Sequence, residues 1–600
     1  MNLRSKRRTT SGNILAITVV TLAVVSLFLG LAVEYTNNIG RNVQRSISLR
    51  QAINIADAST EMSFAAWRSI ARAKGSTVLK KADMDNELPT PAPSHFPGVA
   101  NYSLSNYTVY PLNSQWVART AASATPARIA GPQENDFSYY FLASADVVIP
   151  TVTSKNATSK TDRGNIVAKV RRIFQKETLS LWRYAVFFND DLEIHPGAEM
   201  KVNGEVHTNG TMYTAHKQLT LNGKTTYTDN WSLNYHPQDP RYKPPQTPPT
   251  PTPTPPKWSA NLAPAADLAQ QAYGVDLTDY HELIENKSTT AALDPYRFET
   301  QADVRVYIDG SNNLKIYNSS NVEITNLTGT SNDAKVATAF KAAITKNEFI
   351  TDNREGAASG NGSIRLATLN VGQISSAMNA GTISLAKRVI YIIDTSALNA
   401  DGTPNPAAKR AIRLKNGAQL PDGGLTIASG NPVYVQGDYN TGTSGGTQPP
   451  SNLQPLPSPG ATPPSSTVAG YDRQPAAIIG DAVNILSNAW LDSNSGNGAM
   501  PPATPTTVNA GIISGNVATN GTYSGGVENF PRFLENWSGK VFTYYGSMIQ
   551  LYKSKQAVGL WGPGYSPPQR SWFFDTNFIT NPPPGTLNSV NYRRSRWYML

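Results

Sequence analysis

Between Ile14 and Val33 the chain runs for 20 residues without a charge or a proline, ILAITVVTLAVVSLFLGLAV. A helix of that length reaches about 30 Å, the thickness of one hydrocarbon core. Arg4, Lys6, Arg7 and Arg8 precede it, and no further cation occurs before Arg41. The positive-inside rule therefore predicts a single pass through a bacterial inner membrane, with residues 1–12 cytoplasmic and the bulk of the chain periplasmic or extracellular. A cleaved secretory signal is the competing reading. Its apolar region is usually shorter, about 7–15 residues, and ends at an A-x-A-like site, whereas here Gly30–Val33 runs directly into Glu34-Tyr35.

The helical pattern continues past the apolar run. The first proline is Pro89, and residues 34–74 contain only Gly40 as a glycine. Ile39, Val43, Ile47, Ile55, Met62, Ala66 and Ile70 recur mostly at three- and four-residue steps, which predicts a helix from Ile14 to Lys74 about 90 Å long. Ile14, Val20, Val24, Leu27 and Val33 are the candidate lipid-facing positions, and Ile39, Val43 and Ile47 carry the apolar stripe onward.

A short basic leader, a glycine, a long apolar helix and an amphipathic extension resemble the type IV pilin class. The closest form is that of the PilX-type minor pilins and the large pilus-assembly-associated proteins that share their N-terminal segment. The resemblance implies a prepilin-peptidase cut between Gly12 and Asn13, with Asn13 as the first mature residue. It also implies other pilin-like subunits or pilus assembly proteins as partners, and a small sheet packed on the end of the helix. The chain departs from the pattern at Ile17, where major pilins place a Glu, and at Asn13, where Phe or Met is usual.

Composition bears on the exported part. Charged residues are 16% of the 600, while Gly (44), Pro (43) and Tyr (27) are abundant. Few charges and many turn formers favour short strands over solvated helices, so the expected fold class is mainly β behind a long transmembrane helix. With no cysteine, disulfide scaffolds, thiol catalysis, Cys-ligated zinc and iron–sulfur clusters are excluded. The net charge of +10 is modest and sits partly at the ends, with Arg593, Arg594 and Arg596 at the far one. No nucleic-acid partner is expected.

The pattern divides the chain. A basic leader (1–12) and the helix (13–75) precede a small β-rich head (76–180), in which Phe137–Pro150 and Asn165–Gln175 alternate as strands. A first solenoid-like part (181–236) has short apolar pieces between turns at Gly197, Gly204, Gly210 and Gly223. Such text resembles imperfect turns of a right-handed parallel β-helix, with a β-sandwich as the alternative. A Pro-rich linker or extruded loop (237–257) leads to a mixed α/β insertion (258–350). There Asp276–Asn286 and Asn332–Lys346 read as helical and Asp303–Asn318 as a hairpin. A second solenoid-like part (351–526) carries Pro-rich loops at 447–467 and 500–505, and an aromatic-rich segment (527–600) reads as a C-terminal cap.

Chemistry-bearing constellations are sparse. The histidines are His95, His195, His207, His216, His236 and His281, and no H-E-x-x-H helix occurs. Asp190, Asp191 and Glu193 form an acidic knot in FFNDDLEIH, a weak calcium candidate. Asp492 and Asn494 resemble half of an EF-hand loop without its closing Glu. No G-x-x-x-x-G-K-[ST] phosphate loop is present. The expectation is a structural protein without catalytic residues, cofactor or resident metal, acting in pilus or pseudopilus assembly and display. The alternatives are a surface adhesin or envelope scaffold of the same topology, and a polysaccharide-active β-helix enzyme. The identity of any surface ligand is left open.

Overall fold

The computed structural model describes residues 11–74, 79–112 (positions 86, 90, 97, 98 and 100 aside), 137–150, 165–196, 200–214, 219–242, 279–356, 362–442, 473–496, 500–520, 525–560 and 566–600 (position 586 aside). Short pieces at 129–130, 257–258, 262–264, 271–272 and 277 complete it. His216, residues 1–10, most of the 237–257 tract and the 447–467 loop lie outside the described residues.

One helix spans Ser11–Lys74. Its first half is exposed among the described residues: Leu15 is 71% and Phe28 67% exposed. Its second half buries Ala52, Ile55, Ala56, Phe64, Trp67 and Ala71 against an antiparallel sheet. Small residues on that face let the helix approach closely, and two hydroxyls turn back onto the helix's own carbonyls. Ser59 Oγ donates to Ile55 O at 2.7 Å and Ser63 Oγ to Thr60 O at 2.8 Å, so both buried groups are satisfied.

The sheet is Ser103–Pro111, Phe137–Ile149, Ile166–Ser180 and Asn588–Met599, in that order, with two-residue Gln271–Ala272 on the last strand's outer side. The central pair is in continuous register from Phe137↔Thr178 to Ile149↔Ile166. Alternation then places Phe141, Ala143, Ala145 and Val147 toward the helix beside Ala168, Val170 and Phe174. Trp67 is fully buried there, its ring 5.3 Å from those of Phe141 and Phe174 and edge-on to Tyr592 at 5.7 Å.

The rest of the described chain is mainly β, in mixed open sheets whose longest ladders are parallel. The longest runs Leu262–Pro264, Thr225–Tyr227, Glu205–Thr208, Tyr184–Phe188, Met548–Gln550, Gly511–Ser514, Ala476–Gly480, Leu425–Ala428, Val389–Asp394 and Val304–Ile308, and ends on antiparallel Leu314–Asn318. Both of its faces are covered. Val206, Val186, Met548, Ile512, Ile478 and Ile427 point into one core, while Phe187, Ile549, Ile513, Ile479 and Tyr391 meet Tyr280, Leu283, Leu293 and Phe298 in another. Burial on both faces accounts for unalternated apolar text such as VIYIID in Val389–Asp394.

Two further ladders run beside it. One joins Lys257–Trp258, Leu219–Asn222, Met200–Asn203, Gln569–Phe574, Val541–Gly546 and Thr506–Asn509; the other contains Ser363–Asn370, Arg410–Lys415, Val433–Gln436, Val483–Leu486 and Pro531–Phe533. At one end the helices Asn332–Ala343 and Val371–Asn379 bring Val336, Phe340, Val371 and Ile374 into the core shared with Val306 and Ile316.

Strand order departs from chain order. Met548↔Val186 and Trp572↔Val202 pair the late strands with the earliest ones, so residues 184–227 extend the run that arrives at 548–574. The segment 527–600, expected as a cap, supplies strands inside these ladders, and its last strand, Asn588–Met599, lies in the head beside Ile166–Ser180. The reason is long-range pairing, which leaves no local signature. Of Asp276–Asn286, expected to be helical, the described residues hold a three-residue 3-10 turn at His281–Leu283, where the His281 side chain is engaged by the distant Asp481. The helix expected over Asn332–Lys346 ends at Ala343, where Ile344 begins a strand.

Candidate functional site

The long helix is the first candidate. Beyond the 20-residue apolar run, Ile39 (46%), Val43 (51%) and Ile47 (44%) remain exposed, and burial begins only near Ala52. It is one helix long and apolar enough to cross a membrane. Gly12 and Asn13 fall in its first turn.

The acidic knot at 190–193 does not converge. Asp190 pairs with Lys553 Nζ at 2.7 Å. Burial opposes its charge, but the Lys553 ammonium and the Asp191 amide outweigh that and hold its carboxyl below the usual range. Asp191 accepts from Thr211 N at 2.7 Å and lies 3.6 Å from His236. Glu193 faces inward, bonds Thr519, and is pushed up by burial to about 8. Their partners, Lys553, Thr211 and Thr519, come from different segments and draw the three carboxylates apart. Asp492 accepts from Arg413 at 2.6 Å and from the Trp490 indole at 2.9 Å, while Asn494 sits in a short 3-10 turn. Among the described residues, no three of His, Asp and Glu meet where they could hold a metal ion.

The histidines are dispersed. His207 stacks on Phe187 at 5.5 Å and bonds Thr226 at 2.7 Å and Asn209 at 3.0 Å. Burial lowers its pKa to about 4, so it is neutral at pH 7. His195 lies over Tyr235 at 4.5 Å, with its backbone N–H on Glu528.

His281 forms a tight charged constellation that sequence reading missed. It is buried between Glu285, 2.6 Å from Nδ1, and Asp481, 2.9 Å from Nε2. Burial alone would disfavour the imidazolium, but the two carboxylates outweigh it and raise the His281 pKa. Asp481 also accepts from the amides of Lys555 and Ala557, at 2.6 and 2.7 Å. This joins the 279–301 segment to the turn between Ala476–Gly480 and Val483–Leu486 and to residues 555–557, and no short motif signals it because Asp481 lies 200 residues away.

No family model matches the sequence, and no curated protein matches it. Among solved structures, the crystal structure of the competence-associated pilin ComZ from Thermus thermophilus is similar at 11% identity, over 92% of this chain and 97% of that one, with a TM-score of 0.27. A superposition this loose fixes neither fold nor function.

Proposed function

We propose that this chain is a pilin-class structural subunit of PilX type. It is anchored in the inner membrane by Ile14–Val33 and displays its β-rich body on a type IV pilus or a related secretion pseudopilus. The observation that carries this reading is the unequal use of one helix. Ala52–Ala71 is packed on an antiparallel sheet, whereas the apolar side chains of Ile14–Ile47 stand exposed among the described residues. Lipid accounts for the first 20 residues. The exposed stripe of Ile39, Val43 and Ile47 continues beyond one bilayer thickness and fits the apolar faces of neighbouring helices of the same kind.

In this reading Gly12 and Asn13 flank the processing site, and the activity is assembly and display, not catalysis. The parallel ladders support reading the body as an imperfect β-solenoid inserted into the head, with the Pro-rich tracts as extruded loops. The test is mass spectrometry of the mature N-terminus in cells with and without prepilin peptidase. A peptide beginning at Asn13, lost when the peptidase is absent, is the expected result. A chain retaining residues 1–12 in both backgrounds overturns the processing step and favours a permanently anchored adhesin or scaffold.

A further inference from the structure

We infer that the outer face of the terminal hairpin, Val304–Ile308 with Leu314–Asn318, is a binding groove for a neutral polysaccharide. Alternation along this hairpin sends Val304, Val306, Ile308 and Ile316 into the core and turns Tyr307, Lys315 and Tyr317 outward. From Phe187 through Ile549, Ile513 and Ile479 to Tyr391 the corresponding face of the ladder is covered, as at Tyr391, whose hydroxyl donates to Ile284 O at 2.8 Å. At Tyr307 and Tyr317 the cover stops. A solvent-open groove of about 450 Å³ is lined there by Glu299, Tyr307, Asp309, Asn313, Lys315 and Tyr317, among others. That volume lies within the range of ligand sites.

The lining has the chemistry of a sugar site. The Tyr307 and Tyr317 rings stand edge to face at 5.5 Å, both half-buried, so they offer rigid apolar surface at little entropic cost. Both are pinned: Tyr307 Oη donates to Glu299 at 2.8 Å and Tyr317 Oη to Glu323 at 3.2 Å. Asp309 is held by the Ser311 and Asn313 amides at 2.9 and 2.8 Å and by the Asn313 side chain at 2.9 Å. Carboxylate acceptors, amide donors and the Lys315 ammonium therefore surround an aromatic floor, a match for the hydroxyl edges and C–H faces of pyranose rings.

Two other polymers fit less well. Glu299 is neutralised by Arg297 and Arg305, and the remaining charges, Asp309, the rim residue Glu323 and Lys315, carry no positive excess that would draw nucleic acids or polyuronates. A peptide cannot add as a further strand, because the outer edge is occupied. Ile316 N donates to Thr325 Oγ1 at 2.8 Å, Ile324 N to Ile316 O at 2.8 Å and Asn318 N to Val322 O at 3.0 Å.

The groove does not depend on whether the chain enters a filament. The test is calorimetric titration of the full-length protein in lipid nanodiscs. The probes are neutral hexasaccharides of glucose, mannose, galactose and N-acetylglucosamine, with hexagalacturonate and a short oligothymidylate as anionic ones. Saturable binding of at least one neutral hexasaccharide is expected. It should weaken about tenfold or more in Tyr317→Ala and persist in Tyr317→Phe, which keeps the ring. Lys315→Trp, at an exposed position, should block the groove without loss of folding and serves if Tyr317→Ala does not fold. No saturation by any neutral probe, equal binding by Lys315→Trp, or binding of the anionic probes alone overturns the inference.

Discussion

Ser589 and Leu179, 410 residues apart in the chain, are cross-strand partners, and the Ser589 hydroxyl donates to the Leu179 carbonyl at 3.4 Å. Two residues further on, Leu181 N donates to Leu587 O at 3.0 Å. The chain thus leaves the head on one strand and re-enters it on the adjacent one, and the whole β-rich body lies between them.

The head should therefore fail when its last strand is weakened. Trp67→Ala and Tyr592→Ala each remove a large buried ring from the same cluster and should cost about 3–5 kcal/mol. Because the two rings touch, the double variant should cost less than the sum. Urea unfolding of the solubilised full-length protein measures both effects, and limited proteolysis assigns the loss to the head.

Membrane insertion and assembly should separate along the helix. Val20→Lys or Val24→Lys places a charge at the bilayer centre, at an apparent cost of about 2.5–3.5 kcal/mol, and should release protein from carbonate-washed membranes. Val43→Lys lies beyond the apolar run and should leave the carbonate-resistant fraction unchanged while abolishing surface piliation. Normal piliation with Val43→Lys would remove the assembly role of the exposed stripe.

Two glycines test the ladder turns. Gly424 has φ +85°, and a Cβ there would stand 1.7 Å from the Pro475 carbonyl oxygen. Gly539 has φ +71°, with nothing within 4 Å. Gly539→Ala should cost only the left-handed penalty of about 1–2 kcal/mol, and Gly424→Ala distinctly more. Their urea midpoints give the comparison directly.

Buried carboxyls set a pH trend. Glu193 and Glu535 are raised by burial, to about 8 and about 7, from an ordinary value of 4.5. Between those limits the folded chain holds protons that the unfolded chain has released. Their contribution is fully present below pH 4.5 and is lost as pH rises to 7 for Glu535 and 8 for Glu193, at about 1.4 kcal/mol per unit of separation. His207, lowered from 6.5 to about 4, acts oppositely and destabilises as pH falls through that window. Glu193→Gln should flatten the decline above pH 5 in denaturation midpoints, and His207→Gln should flatten the acid limb.

What the sequence discloses follows the range of the interactions. The helix announces itself through local periodicity and the absence of proline, and the pairing of Phe137–Ile149 with Ile166–Ser180 follows from alternation across one polar connection. The hairpin around Gly310 is likewise a local matter, with Val304↔Asn318 and Ile308↔Leu314 in register. The strand Asn588–Met599 gives no such sign, because its partner lies across the entire body. The acidic knot misleads for a related reason. Adjacency in Asp190, Asp191 and Glu193 suggests a shared ligand, but their partners Lys553, Thr211 and Thr519 come from three other segments. The His281 cluster is invisible for the same cause.

The double connection between head and body also sets an order of events during synthesis. The long helix and the strands Ser103–Pro111, Phe137–Ile149 and Ile166–Ser180 emerge early, yet the strand that carries Val590 and Tyr592 against Trp67 is made only after every ladder strand has been translated. A chain cut short anywhere in the body has a signal for insertion but an unfinished head, with aromatic surface left open beside the helix. Completion of the head thus reports that translation has passed through the whole body.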